Sequence, residues 1–317
     1  MPLEFYRNTF AGNPLDRAGD LRTDTAWLEK QAADPEAMAV ALWTGMPLVE
    51  DAPGLAENGG GGRRLAYLRA DMARDAVRGD VERMLFLGLH KQTPVFAVDF
   101  EGTADPAEGP LQGLGRFEEL RGLALALPGG EAGICATAKS LFDWRRRHRF
   151  CSVCGHESEI ADGGWKRVCP NCNAEHFPRT DPVTIMLPVY GERCLLGRAA
   201  SWPKGRMSAL AGFVEPGESI EEACARELKE EAGLKTRRVT YHSSQPWPWP
   251  SNLMIGLIAE VESDDAHADE SELEEVRWFT RDEARAMVAG DAGAPVQVAP
   301  PLAIAHHLLK AWAGGFK

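Results

Sequence analysis

Four cysteines and a run of glutamates are the residues with which this chain could do chemistry. The cysteines fall in two pairs, CSVC (Cys151, Cys154) and CPNC (Cys169, Cys172), with fourteen residues between the pairs. Two such knuckles let four thiolates converge on one tetrahedral zinc. Sulfur fills every position, so no site is left for water and the expected role is structural. A redox role for each CxxC is the rival reading, disfavoured by two copies at ribbon spacing. His156 and His176 lie near enough in sequence to replace a cysteine, though surface or hydrogen-bonding positions suit them better. Cys135, Cys194 and Cys224 sit among apolar residues and are expected in the core.

The glutamates lie in AGFVEPGESIEEACARELKEEAGL, residues 211–234. Ser219 with Glu222 three residues later reads as a capping box that opens a helix, and Gly233 reads as its stop. Acidic helices usually present their glutamates to solvent, but angular position argues otherwise here. Counting about 100° per residue from Ile220, Cys224 falls near about 40° and Leu228 near about 80°. Glu227 and Glu231 fall near about 340° and about 20°, inside the same apolar sector, with Glu230 at its edge near about 280°. A carboxylate aimed at the protein body is costly unless something positive meets it. Two glutamates one turn apart suit a divalent cation with oxygen ligands.

The elements that must position these groups separate by texture. Residues 1–148 carry a glycine run, ENGGGGRRLAYL, that reads as a mobile loop between short strands. Strand-like pieces such as PVFAVDF follow, then a helix in EAGICATAKSLFDWRRRHRF. Residues 149–180 hold the cysteine pairs. From 181 to 317, VTIMLPVY and GERCLLGRA read as strand, turn and strand, followed by a glycine-rich loop and the glutamate helix. The acidic stretch VESDDAHADESELEE, 261–275, reads as a solvated loop entering a helix. No internal repeat is present.

Whole-chain properties bound the function classes. A length of 317 residues suits two or three domains, and the net charge of −12 argues against a nonspecific nucleic-acid binder. No apolar run approaches the roughly 20 residues of a membrane span. The start lacks a signal-peptide layout, the end is not a peroxisomal address, and seven cysteines with four in tight pairs suit a reducing compartment. The expectation is a cytoplasmic protein with no membrane partner.

One stretch stands apart: SQPWPWPSNLM, residues 244–254, alternates prolines with tryptophans. Each proline fixes φ and pushes its predecessor into an extended conformation, so the reading is a stiff extended strip carrying indoles. Such a strip could hold a flat ligand, form a core corner, or serve as a polyproline ligand.

Together these residues carry a resemblance. Gly212, Glu218, Arg226, Glu227, Leu228, Glu230, Glu231, Gly233 and Leu234 fill every fixed position of the Nudix box, Gx5Ex7REUxEExGU. With four zinc-type cysteines before the box and SQPWPxP ten residues after it, the chain resembles the NADH pyrophosphatase family. Those enzymes split NAD(H) into AMP and nicotinamide mononucleotide, and some remove NAD caps from RNA. Their signature is SQPWPFPxS; here Trp249 replaces phenylalanine and Asn252 replaces the final serine. The likeness runs from about Arg116 to the end, and the first hundred residues match only loosely.

The resemblance implies an α+β protein. Its Nudix domain would be an α/β/α sandwich with a mixed sheet, preceded by a four-cysteine zinc ribbon and an N-terminal mixed α/β domain. It implies Mg2+ or Mn2+ held by Glu227 and Glu231, with Glu230 a ligand or base and the Ala211 backbone a further ligand. Arg226 would tie the carboxylates together and Glu218 would support metal-bound waters. Glu272, by alignment to the following RWF, completes the metal site, with Glu275 its rival. A homodimer would hold adenine between Phe177 and Phe213 of different subunits. The strip Gln245, Pro246, Trp247, Pro248, Trp249, Pro250 and Asn252 would face the nicotinamide end, Gln245 and Asn252 by hydrogen bonds. Backbone around Ala305 and the side chain of Arg121 are weaker substrate candidates, Arg121 being otherwise an ordinary helix-surface arginine. Two alternatives stand beside this. One is the same enzyme acting on ADP-ribose or diadenosine polyphosphates. The other is a catalytically dead zinc-ribbon nucleotide sensor, favoured by the basic run RRRHR (145–149), which otherwise reads as a solvated helix end.

Overall fold

The computed structural model describes residues 8–55, 62–128, 130–269 and 272–316. Most of the glycine run therefore lies outside the described residues. The chain forms two compact units. One comprises residues 8–9, 180–246 and 252–316, and the other residues 10–179 and 247–251.

The first unit is built on a six-stranded sheet. Its order is Thr236–Trp247, Asn252–Val261, Asp181–Tyr190, Arg193–Arg198 and Glu275–Thr280, with Leu210–Phe213 paired to Asp181–Tyr190 off that path. Asp181–Tyr190 runs parallel to Asn252–Val261 and antiparallel to Arg193–Arg198 and Leu210–Phe213, so the sheet is mixed. Strand residues alternate between faces, and both faces are apolar. Ile185, Leu187, Cys194, Leu196 and Ile258 pack with Ile304, Leu308 and Trp312 of the closing helix Ile304–Ala313. Their neighbours Met186, Leu195, Leu257 and Ala259 pack on Cys224, Leu228 and Ala232 of the glutamate helix, Ile220–Ala232. Period-two alternation with both faces covered makes the α/β/α sandwich.

The second unit holds a seven-stranded sheet, ordered Arg63–Leu65, Met46–Asp51, Met38–Trp43, Thr93–Phe100 and Met84–His90, with Leu68–Arg69 paired to Met38–Trp43 and Arg116–Phe117 to Met46–Asp51 off that path, and a three-stranded sheet flanked by the cysteine turns. The helix expected from EAGICATAKSLFDWRRRHRF spans Glu131–Arg147. Its basic end departs from expectation. Arg145 is buried and donates to the carbonyls of Met84 (2.8 Å) and Val81 (2.5 Å), while Arg146 bonds Asp99 and Asp143. These arginines satisfy carbonyls and carboxylates inside the unit. The acidic stretch also differs, because it leads into the strand Glu275–Thr280 and not into a helix. Among the described residues no helix is long and apolar enough to cross a membrane.

Candidate active site and zinc centre

The glutamate helix begins at the expected capping box, with Ser219 and Glu222 bonding each other's backbone N–H, and ends at Gly233 in the left-handed region (φ 68°). Its buried positions include Glu227, 9% exposed, and Glu231, 6% exposed, beside Cys224 and Leu228. The 3.6-residue period thus turns two carboxylates into the protein.

A third carboxylate joins them. Glu227, Glu231 and Glu272 each offer an oxygen within 4.8 Å of the others. The rival, Glu275, sits opposite Arg198 in the sheet and bonds its guanidinium at 3.4 Å. Burial, then the charges of Glu227, Glu272 and Glu230, push Glu231 up to about 8. Burial also raises Glu227, against the pull of Arg226. Among the described residues, Glu231 Oε2 is buried and has no hydrogen-bond partner. Three converging carboxyl groups with an orphaned oxygen fit a divalent cation, which would supply the missing charge and accept that oxygen.

Arg226 gathers the remaining box residues. It bonds Glu218 through Nε (2.7 Å) and Nη2 (3.0 Å), Glu227 at 2.8 Å, Glu230 at 3.0 Å and the carbonyl of Phe213 at 2.9 Å. That bidentate contact, with the Glu215 N–H, lowers Glu218 to about 2. Both Glu218 oxygens hold Arg226 and the turn. Glu230 is largely exposed on the solvent side of Arg226. Ala211 and Phe213 are exposed on the neighbouring strand, Phe213 at 56%.

The cysteine knuckles repeat one pattern. Gly155 N–H donates to Cys151 O and Asn173 N–H to Cys169 O, both at 2.9 Å, with Gly155 and Asn173 at positive φ. The turns bring Cys151, Cys154, Cys169 and Cys172 within 4.8 Å of one another with no histidine in the group. This all-sulfur set fits zinc. Cys135, Cys194 and Cys224 are fully buried in the cores.

The tryptophan strip is not an extended rod. Trp247 ends its strand, residues 248–251 turn, and the Trp249–Pro250 peptide is cis. The indoles fold together with centroids 5.0 Å apart, and Phe10 meets both edge-on at 6.0 and 5.5 Å. Arg121 lies 4.6 Å over the Trp249 ring and Lys139 lies 5.8 Å from it. Arg121 is therefore a partner of the indoles, while Phe10 and Lys139 left no signal in the sequence. Pro248 is buried; Pro246, Trp247, Trp249, Pro250 and Asn252 are half-buried.

Gln245 corrects an expectation. Its side chain is fully buried, with Nε2 donating to the carbonyls of Leu302 (2.8 Å) and Thr9 (3.2 Å) and Oε1 accepting from Ile304 N–H (2.8 Å). It clamps the start of the closing helix, where Ala305 is itself buried, so it has no free group for a ligand. Phe177, in the other unit, is 63% exposed.

Three family models match in chain order. The NADH pyrophosphatase-like rudimentary NUDIX domain covers residues 36–144, the NADH pyrophosphatase zinc ribbon domain 146–177, and the NUDIX domain 180–297. The chain belongs to the NADH pyrophosphatase family of Nudix proteins. Among the relatives of this Nudix protein is the NAD-capped RNA hydrolase NUDT12 of Macaca fascicularis, 45% identical over 59% of this chain and 43% of that one. The NAD-capped RNA hydrolase of Schizosaccharomyces pombe is 39% identical over 70% of this chain and 65% of that one. The human mitochondrial NAD(P)H pyrophosphatase NUDT13 is 40% identical over 62% and 59%. The chain thus spans between about two fifths and two thirds of these relatives.

Proposed function

We propose that this Nudix protein hydrolyses the pyrophosphate of NAD(H), releasing AMP and nicotinamide mononucleotide, and acts likewise on NAD-capped RNA ends. The observation that carries the reading is the convergence of Glu227, Glu231 and Glu272 around the orphaned Glu231 oxygen. The relatives named for NAD-capped RNA and NAD(P)H point to the substrate class.

Glu227, Glu231 and Glu272 would hold Mg2+ or Mn2+, with the Ala211 backbone beside them. Bound there, the cation neutralises the pyrophosphate and lowers the pKa of the attacking water. Arg226 keeps Glu227 oriented and opposes the rise that burial imposes on its carboxyl group. Glu230, exposed beside that arginine, would take a proton from water. A structural zinc held by the four cysteines stiffens the ribbon. Phe177 and Phe213, both exposed, are available to grip adenine from two subunits of a homodimer. Trp247 and Trp249, with Arg121, would meet the nicotinamide half, beside Asn252. Three domains, 1–148, 149–180 and 181–317, and a cytoplasmic location complete the reading.

The test is product analysis with Mg2+ and with Mn2+ on NADH, NAD+, NADPH, ADP-ribose, a diadenosine polyphosphate and NAD-capped RNA. AMP and nicotinamide mononucleotide should appear from NADH faster than AMP from ADP-ribose. Preferential cleavage of ADP-ribose or the diadenosine compound would replace this substrate, and no cleavage of any would leave a nucleotide sensor.

A further inference from the structure

Glu272 reaches the helix glutamates from a loop, and that loop is docked onto the helix that carries them. His267 N–H donates to Ala232 O (3.1 Å) and Asp269 N–H to Glu231 O (3.0 Å), taking carbonyls the helix leaves open at its C-terminus. Glu272 and Leu273 N–H then both donate to Asp269 O, at 3.0 and 2.8 Å. The flanks are also held. Asp264 pairs with Arg193 at 2.5 Å and its carbonyl accepts from Trp278 Nε1 at 2.9 Å. Leu273 lies against Gly197, where an added Cβ would meet its Cδ1 at 3.1 Å.

Between these anchors, the exposed His267 ring lies over the equally exposed Gly233, in the space that a side chain there would need. A Cβ on Gly233 would fall 2.2, 2.6 and 2.8 Å from Cε1, Nε2 and Nδ1 of the imidazole. Three ring atoms at similar short range mean that the ring lies against the glycine. Gly233 also has φ 68°, so both its conformation and its missing Cβ matter. The imidazole is not in the group of side chains that could share a metal with Glu227 and Glu231. Its contact is with the helix end.

We propose that His267, seated in the notch at Gly233, is a positioning residue that sets Glu272 against Glu227 and Glu231 and thereby raises the site's affinity for a divalent cation. This rests on the metal-dependent reading above. A loop held only by its backbone bonds, with His267 a bystander, is the contrasting case.

The test uses zinc-loaded full-length protein and Mn2+ alone as the probe, with free Mn2+ counted by room-temperature EPR. His267→Ala should raise the Mn2+ dissociation constant about tenfold, the lower end of what groups orienting metal ligands contribute. The melting temperature without Mn2+ should stay that of wild type, and kcat on NADH at saturating Mn2+ should be retained. His267→Phe restores a flat ring without a ligating nitrogen and should recover wild-type affinity. Unchanged Mn2+ affinity in His267→Ala overturns the proposal. So does a His267→Phe variant as weak as His267→Ala, since the imidazole would then act by its nitrogens. A lower melting temperature in His267→Ala that accounts for the affinity loss also overturns it. NADH hydrolysis is scored separately: its absence in a protein that binds Mn2+ overturns the substrate reading alone, whereas wild-type protein that binds no Mn2+ overturns both.

Discussion

The backbone of Gly212 lies so close to the Glu227 carboxyl group that a Cβ at position 212 would fall 1.8 Å from its carbon and 2.0 and 2.2 Å from its oxygens. Thr184, fully buried, fixes that backbone by donating Oγ1 to Gly212 O at 3.2 Å. The strand and the glutamate helix thus share a contact that only glycine permits, and it sets where one metal ligand stands.

Gly212→Ala should therefore disable the site while sparing the fold. The obstructing group is the end of a flexible side chain, so the methyl displaces Glu227 and not the sheet. A ligand displaced by an ångström or so costs about a hundredfold in rate. Steady-state kinetics should show that loss with far-ultraviolet circular dichroism unchanged. Near-normal activity would mean that Glu227 is not a ligand.

Glu231 gives a pH-dependent prediction. Its carboxyl group, ordinarily near 4.5, is held near 8 in the folded, metal-free protein, chiefly by burial. A folded pKa above the unfolded one contributes stability that is complete below the unfolded value and is lost as pH rises through the folded value. Between about pH 4.5 and 8, metal-free wild type should lose stability through this group. Glu231→Gln removes the ionisation. The variant should melt higher than wild type at pH 8 without metal, match it near pH 4.5, and still lose turnover by about several hundredfold. Calorimetry at the two pH values, beside an activity assay with Mg2+, checks all three.

Zinc should be measurable as one tightly held ion per chain by elemental analysis. Cys151 is almost fully buried, so Cys151→Ser should release the metal and lower the melting temperature on the order of 10 °C, because ligand loss removes folding free energy. A metal-free wild type of unchanged stability would refute the assignment.

Gln245 and Trp247, two residues apart, should fail differently. Gln245→Ala leaves the Ile304 N–H and two carbonyls without their partner in the core, at a cost of about 2–3 kcal/mol. Hydrolysis of NADH and of ADP-ribose should fall in parallel with the folded population.

Trp247→Ala removes a half-buried indole from the Trp249 and Phe10 cluster. Loss of a stacking partner worth about 0.5–1.5 kcal/mol should slow NADH hydrolysis severalfold more than that of ADP-ribose, which lacks nicotinamide. Equal losses on both substrates would make the strip scaffold and remove its link to nicotinamide.

The parts of the site legible in the sequence are those governed by short-range periodicity. Spacing of the CxxC pairs announced the four-cysteine cluster. Angular position on a helix announced that Glu227 and Glu231 turn inward, and Ser219, Glu222 and Gly233 marked where that helix starts and stops. Each depends on residues within a turn or two, where backbone geometry alone sets which side chains share a face.

What only the tertiary structure decided was which distant groups meet these. Glu272 rather than Glu275 joins the glutamates because the loop docks on the last carbonyls of the helix, while Glu275 is already in the sheet opposite Arg198. Gln245 faces inward because Ile304 and Leu302 need its amide, and Arg145 is buried because Met84 and Val81 present carbonyls to it. The strip turns at Pro248 and folds its indoles onto Phe10. In each case a polar or aromatic group takes the partner that long-range packing brings to it. Burial makes that choice costly to leave unsatisfied, and no local pattern records who the partner is.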